Sequence, residues 1–158
     1  MLKFYHSKNV NFVTWNYRGC NLSQGLPTLG KIKCDAIVVA EYIKNRIGKQ
    51  AKIIAHGTSM GGAAAAHIAR RNLCDFLICD RTFGSLSEVP KLSLGSWSAT
   101  GLKFLFEWDT DSVKDYYYAN CYKVIAQDPH DEIINDPSSL KSMLSTNIVH
   151  REINNMLL

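Results

Sequence analysis

Ala51-Lys52-Ile53-Ile54-Ala55-His56-Gly57-Thr58-Ser59-Met60-Gly61-Gly62-Ala63-Ala64-Ala65-Ala66 decides the fold. Its opening, Ala51 to Ala55, is short, apolar and β-branched at Ile53 and Ile54, which suits a strand buried on both faces. Its close is a run of four alanines that continues through His67-Ile68-Ala69 to Arg70-Arg71. Alanine is the strongest helix former, and the two arginines suit the negative end of a helix dipole. Between the two lies Gly-x-Ser-x-Gly, Gly57 to Gly61, with a further glycine at Gly62. A strand that turns this sharply into a helix forces its central residue into a strained backbone conformation. Small residues two before and two after let strand and helix approach. The Ser59 hydroxyl then projects, exposed, above the helix N-terminus, where the backbone N–H of Met60 can meet a developing oxyanion.

Upstream, residues 2–8 fit a fragment of helix, and Asn11-Phe12-Val13-Thr14-Trp15 reads as a strand. A loop follows through Gly25, Pro27 and Gly30. Ile32, Ala36, Val39, Ala40, Ile43 and Ile47 recur at helical spacing, so a helix runs from about Lys31 to Ile47 and stops at Gly48. Downstream, Asp75 to Cys79 and Tyr122 to Ala126 are two further strands. Between them Leu102, Leu105 and Phe106, with Trp97 and Trp108, form an aromatic-rich helical face, a core stripe or an acyl-chain surface. Asp109 or Asp111 caps a short helix through Tyr116-Tyr117-Tyr118. Pro137 suits the first position of a helix through Leu144, and the tail from Ser145 to Leu158 fits helix or strand.

Strands alternating with helices predict an α/β fold, a mostly parallel sheet with helices on both faces. The 158 residues suit one domain, 1–158, with a real core. Hydrophobic content of 46% and charged content of 20% are those of an ordinary globular chain. A net charge of +4, with scattered lysines and arginines, excludes a nucleic-acid stripe. No apolar stretch is long enough to span a bilayer, and the first ten residues lack a signal-peptide core. The five cysteines, Cys20, Cys34, Cys74, Cys79 and Cys121, form no C-x-x-C pair; the expectation is a buried, reduced thiol at each and a cytoplasmic chain. No metal or cofactor is implied.

In a parallel sheet, function collects at the carboxyl ends of the strands. The loops after Trp15, Ala55, Cys79 and Ala126 then share one rim, which brings Ser59, Asp80 and Asp131 together. A serine hydroxyl needs a histidine base, and the histidine needs a carboxylate to hold its tautomer. Asp131 follows the last strand. Asp128, before Pro129, reads as a turn residue, and Asp80 as an anchor for its loop. For the base, His56 sits beside the elbow and suits a bond to nearby backbone. His67 lies two turns along the elbow helix, and His6 and His130 precede Asp131. Only His150 follows Asp131, after a short run that must hold a helix, a strand and a loop.

Asn16-Tyr17-Arg18-Gly19 through Ser23, Gly57 to Gly62, Asp80-Arg81-Thr82-Phe83-Gly84-Ser85-Leu86 and His130 to Ile134 occur in an order that resembles the α/β-hydrolase family. The combination looks most like its lid-poor branch of protein depalmitoylases and serine aminopeptidase-like hydrolases, over about residues 10–144. Asn16 stands where that family usually has Asp, and Asn21 where it often has Gly. The resemblance implies Ser59 as nucleophile and Asp131 as acid, with a small-molecule or acyl-protein ester or thioester as substrate. A peptidase of the same fold, or a catalytically silent hydrolase fragment, are the alternatives. It also places Trp15 on the fourth strand of an eight-strand core. By that pattern the chain is an incomplete central piece, and an absent third strand would lie between the strands of Trp15 and Ile54. The expected consequence is weak ester hydrolysis or none.

Overall fold

The computed structural model describes residues 1–48, 50–85, 111–134 and 136–146. Three strands, β1 (Ile54–Thr58), β2 (Phe76–Asp80) and β3 (Tyr122–Ala126), form a parallel sheet in the order β1-β2-β3. Thr58, Asp80 and Ala126 are in register at the carboxyl ends. Helix α1 (Leu2–His6) reaches β1 through the Tyr5–His56 contact, while α2 (Leu29–Ile47), α3 (Met60–Arg70) and α4 (Ser112–Tyr118) pack with Ala55, Leu77 and Cys79 of the sheet. A single 3₁₀ turn, Asp136–Ser138, leads into helix α5 at 140–146. The expected parallel α/β architecture is therefore present.

The core forms where small side chains let α3 settle on the sheet. Ala55, Leu77 and Cys79 project from the strands onto Ala64, Ala65 and Ala69 of α3, all buried. Ile32, Ala36 and Ala40 of α2 and Val113 and Tyr116 of α4 complete the same cluster. Thr28 caps α2 by accepting from the Lys31 N–H at 3.3 Å, and Gly48 ends it at φ 79°. Asp111, the second of the two expected caps, accepts from the Lys114 N–H at 2.7 Å.

Charge also ties the helices. Asp115 of α4 is buried and accepts from Lys33 Nζ of α2 at 2.7 Å and Arg70 of α3 at 2.9 Å, and contacts His67 Nδ1 of α3 at 3.0 Å. Burial alone would raise its carboxyl. The bonds from His67 and Lys33, the Lys33 charge and the Arg70 bond hold it instead well below the usual carboxylate range.

Three expectations need correction. Asn11 to Trp15 is not a strand; none of its backbone groups is paired among the described residues, and a strand needs a ladder partner. Cys20 and Cys34 are exposed, the first in a turn and the second on α2 away from the inward row of Ile32 and Ala36; Cys74 and Cys121 are half-buried and only Cys79 is buried. Pro137 begins no α-helix; it lies inside the 3₁₀ turn. Trp97, Leu102, Leu105, Phe106 and Trp108, and the tail beyond Thr146 with His150, lie outside the described residues.

Candidate active site

Ser59 occupies the turn between β1 and α3 at φ 55°, ψ −119°. Positive φ is rare for a residue with a Cβ. Of the five described non-glycine residues that adopt it, three are asparagines; the others are Ser59 and Arg81. Both stand directly past a strand end, on the same rim. The turn is held from both sides. Ser59 N–H donates to the Asp80 carbonyl at 2.9 Å, which extends the β1–β2 ladder by one residue, and its own carbonyl accepts from Gly62 N–H at 3.0 Å.

The flanking glycines are steric requirements. A Cβ on Gly57 would collide with the Gly61 carbonyl, and one on Gly62 with the Thr82 side chain. Strand and helix therefore cross at backbone distance, which gives the chain no slack to relax Ser59. Ser59 makes no side-chain bond to the helix N-terminus it caps. Its hydroxyl is not spent on capping. Met60 N–H, the first donor of α3, has no acceptor among the described residues and lies beside that hydroxyl in sequence.

The remaining candidates distribute around the rim. The Asp80 carboxylate accepts from Thr58 Oγ1 at 3.3 Å and from Arg81 Nε at 3.2 Å, so it ties adjacent strand ends together. Asp131 lies on the loop leaving β3. Its Oδ1 accepts from the N–H groups of Ile133 and Ile134, both at 2.9 Å. The Ile134 and Ile133 bonds, with the Arg81 charge, hold its carboxyl below the usual range. Arg81 links these groups: its N–H donates to the Ala126 carbonyl at 2.8 Å, and its guanidinium acts on Asp80 and Asp131. Asp128 accepts from His130 N–H at 3.0 Å, a turn role.

The described histidines serve elsewhere. His56 Nδ1 bonds the Tyr5 hydroxyl at 2.6 Å, a side chain far away in sequence rather than the nearby backbone that was expected. Burial lowers its pKa. His67 is on Asp115. His6 and His130 are exposed. Among the described residues none bonds Ser59.

Two neighbours of the elbow escaped the sequence. The Tyr17 hydroxyl lies 3.4 Å from where a Cβ on Gly61 would be, so it borders the first turn of α3, and burial raises its pKa. Tyr17 was visible only as part of the Asn16-to-Gly19 loop. That loop is pinned by the Arg18–Asp35 ion pair, which places it against α2. Arg81 was visible only as a member of the motif that begins at Asp80. Cys79 is no rival nucleophile: burial pushes its thiol up to about 12.

Among the described residues no three His, Cys, Asp or Glu side chains gather as a metal site, and no helix is long and apolar enough to cross a membrane.

An uncharacterized membrane protein of Saccharomyces cerevisiae is 34% identical over 89 residues, 54% of this chain and 31% of its own length. Protein bem46 of Schizosaccharomyces pombe is 33% identical over 89 residues, 54% of this chain and 30% of its own. Lysophosphatidylserine lipase ABHD12 of Danio rerio is 33% identical over 97 residues, 58% of this chain and 25% of its own. The chain thus spans under a third of the length of these relatives. No solved structure matches. These relatives place the chain among the α/β-hydrolases. The family described as Chlamydia CHLPS protein (DUF818) matches residues 1–153, and the chain, with its α/β-hydrolase core, belongs to that family.

Proposed function

We propose that the chain carries the nucleophile of a serine hydrolase that cleaves esters or thioesters through an acyl-enzyme on Ser59. The observation that carries this reading is the backbone of Ser59, strained at φ 55° on a turn whose glycines permit no relaxation. Strain at a residue that makes no capping bond is the pattern of a functional turn. A relative named as a lysophosphatidylserine lipase supports a lipid carboxylic ester as the substrate class.

In this reading the Ser59 hydroxyl attacks the carbonyl carbon and its proton passes to an imidazole. Met60 N–H donates to the tetrahedral oxyanion. Collapse expels the alcohol or thiol, which takes the proton from the imidazole, and water releases the acid by the same route. Asp131, ionised at neutral pH, orients the imidazole. The imidazole comes from His150, which lies outside the described residues, or from a histidine outside these 158 residues.

The second reading is a catalytically silent chain that keeps the fold. It draws on the histidines: two of the four described are committed to Tyr5 and Asp115, and the other two are exposed. A fluorophosphonate probe separates the readings. The expected result is one adduct on Ser59, absent in Ser59→Ala and slowed in His150→Ala. Absence of an adduct on the folded chain favours the silent reading, and an adduct that survives Ser59→Ala defeats the assignment.

A further inference from the structure

The amino ends of β2 and β3, opposite the rim that carries Ser59, hold two thiols side by side. Cys74 stands two positions before the first residue of β2, and Cys121 stands directly before β3. The strands are parallel, with Phe76 beside Tyr122. Continued one step back, that register sets Asp75 beside Cys121 and Cys74 one position off it. Strands about 4.8 Å apart, with a shift of about 3.3 Å along one of them, put the two Cα atoms about 6 Å apart. Disulfides are commonest at a Cα separation of about 5.5–6 Å.

The side chains meet as the register requires. Cys74 and Cys121 are both half-buried and pack against the core cluster that includes α3. Their thiols hydrogen-bond to each other. Cys79 is the third sulfur of the neighbourhood, but it is fully buried and donates to the Gly62 carbonyl at 3.6 Å. Cys20 and Cys34 are exposed, one in a turn before α2 and the other on α2 itself.

We propose that Cys74 and Cys121 are a modification site, which a small-molecule disulfide oxidises to a reversible bond between the starts of β2 and β3. Burial, with the Cys121 contact, pushes the Cys74 thiol up to about 12, so Cys74 stays protonated at neutral pH and does not open the reaction. Cys121 acts first. It gives its proton to water, and its thiolate attacks one sulfur of the small disulfide. That S–S bond breaks, and one small thiolate leaves and takes up a proton. Cys74 then loses its proton and attacks the Cys121 sulfur, expelling the second small thiolate, which is protonated in turn. Two protein thiols are oxidised, and one small disulfide is reduced to two thiols. The second attack is intramolecular, so proximity offsets the small thiolate fraction of Cys74.

The bond closes a loop from Cys74 to Cys121 that contains β2 and α4. It restricts the unfolded chain while the folded one, whose thiols already touch, moves little. Ser59, Asp80 and Asp131 lie at the other end of the strands, so the staple acts on stability and is independent of the chemistry proposed for Ser59.

The test uses the full 158-residue chain carrying Cys20→Ser and Cys34→Ser, which removes both exposed thiols. Oxidised glutathione is the probe. After alkylation, chymotrypsin cuts at Phe76 and Leu77, between Cys74 and Cys79, and mass spectrometry reads the pairing. The expected product is a Cys74–Cys121 link with Cys79 alkylated only on denaturation. The thermal midpoint should rise by about 5–10 °C and return with dithiothreitol. Cys74→Ser should stop at a glutathione adduct on Cys121, and Cys121→Ser should leave Cys74 unmodified. Any of four results overturns the proposal. Cys79 is found in the link. The adduct on Cys121 never closes in the chain that keeps Cys74. The link forms only in urea. The linked chain melts no higher than the reduced one. None of these readouts depends on hydrolysis.

Discussion

The two ends of α3 are built on opposite principles. At its N-terminus the backbone is strained, the glycines leave no space for a Cβ, and the Ser59 hydroxyl makes no capping bond. At its C-terminal half His67 and Arg70 converge with Lys33 on the buried Asp115. The first end stores backbone strain at Ser59. The second joins three helices through one carboxylate. A helix held firmly at one end can carry strain at the other, because neither rotation nor sliding is open to it. Chemistry and stability should therefore separate along α3, and substitutions at the two ends should report on different measurements.

The largest expected effect is at the strained end. Ser59→Ala should remove the fluorophosphonate adduct and any ester turnover, by a factor on the order of 10⁶ where turnover is measurable. The urea midpoint should move little, since no side-chain bond is lost. A large fall in stability would mean that the serine is structural and would erase the contrast between the ends.

Next are the two rim carboxylates. Asp131→Asn should slow the Ser59-dependent rate by up to about 10⁴-fold, because the imidazole loses the group that fixes its tautomer. Asp80→Asn keeps an oxygen for Thr58 and should slow it much less. The reverse ranking in parallel kinetics would give the acid role to Asp80.

At the tethered end Asp115→Ala should destabilise by about 3–5 kcal/mol, the usual result of leaving a buried cation, here Lys33, without its partner. Denaturant unfolding measures it. The same group predicts a pH dependence. The Asp115 carboxyl is depressed in the folded chain, so its stabilisation is complete above the unfolded carboxylate pKa of about 3.9 and is lost as pH falls below that value toward the folded pKa. Acid titration of the unfolding midpoint should show a loss at low pH that Asp115→Ala lacks. Equal acid sensitivity in both proteins would move the effect to other carboxylates.

The same contrast governs what was legible in the sequence. The elbow is local: β-branched strand, glycines, serine and alanine run are contiguous, so short-range sterics alone predict it. The Asp115 cluster joins residues 82, 48 and 45 positions apart, and no periodicity signals such a meeting. Tyr5 reached His56 across 51 positions for the same reason. Asn11 to Trp15 failed differently. Its residues favour a strand, but strand formation is a property of a pair, and none of the described residues pairs with it. The α2 helix was legible because its apolar period and Gly48 stop lie within one element.

The smallest effect is the sharpest test of stored strain. Ser59→Gly removes the Cβ that makes φ 55° unfavourable. A non-glycine residue held in a sparse region costs about 1–3 kcal/mol, and relief of that strain stabilises the folded state. Against this, glycine adds conformational freedom to the unfolded chain, worth about 0.4–1 kcal/mol. Glycine at an N-cap loses only a few tenths relative to serine even where serine bonds, and here Ser59 makes no such bond. The balance runs from about zero to a gain of about 2.6 kcal/mol, seen as a higher urea midpoint at unchanged slope. Ser59→Ala keeps the Cβ, so it should not share the gain. The difference between these two variants isolates the strain itself. If they unfold together, the turn at Ser59 is relaxed, and the two ends of α3 no longer differ in the way that assigns chemistry to the first.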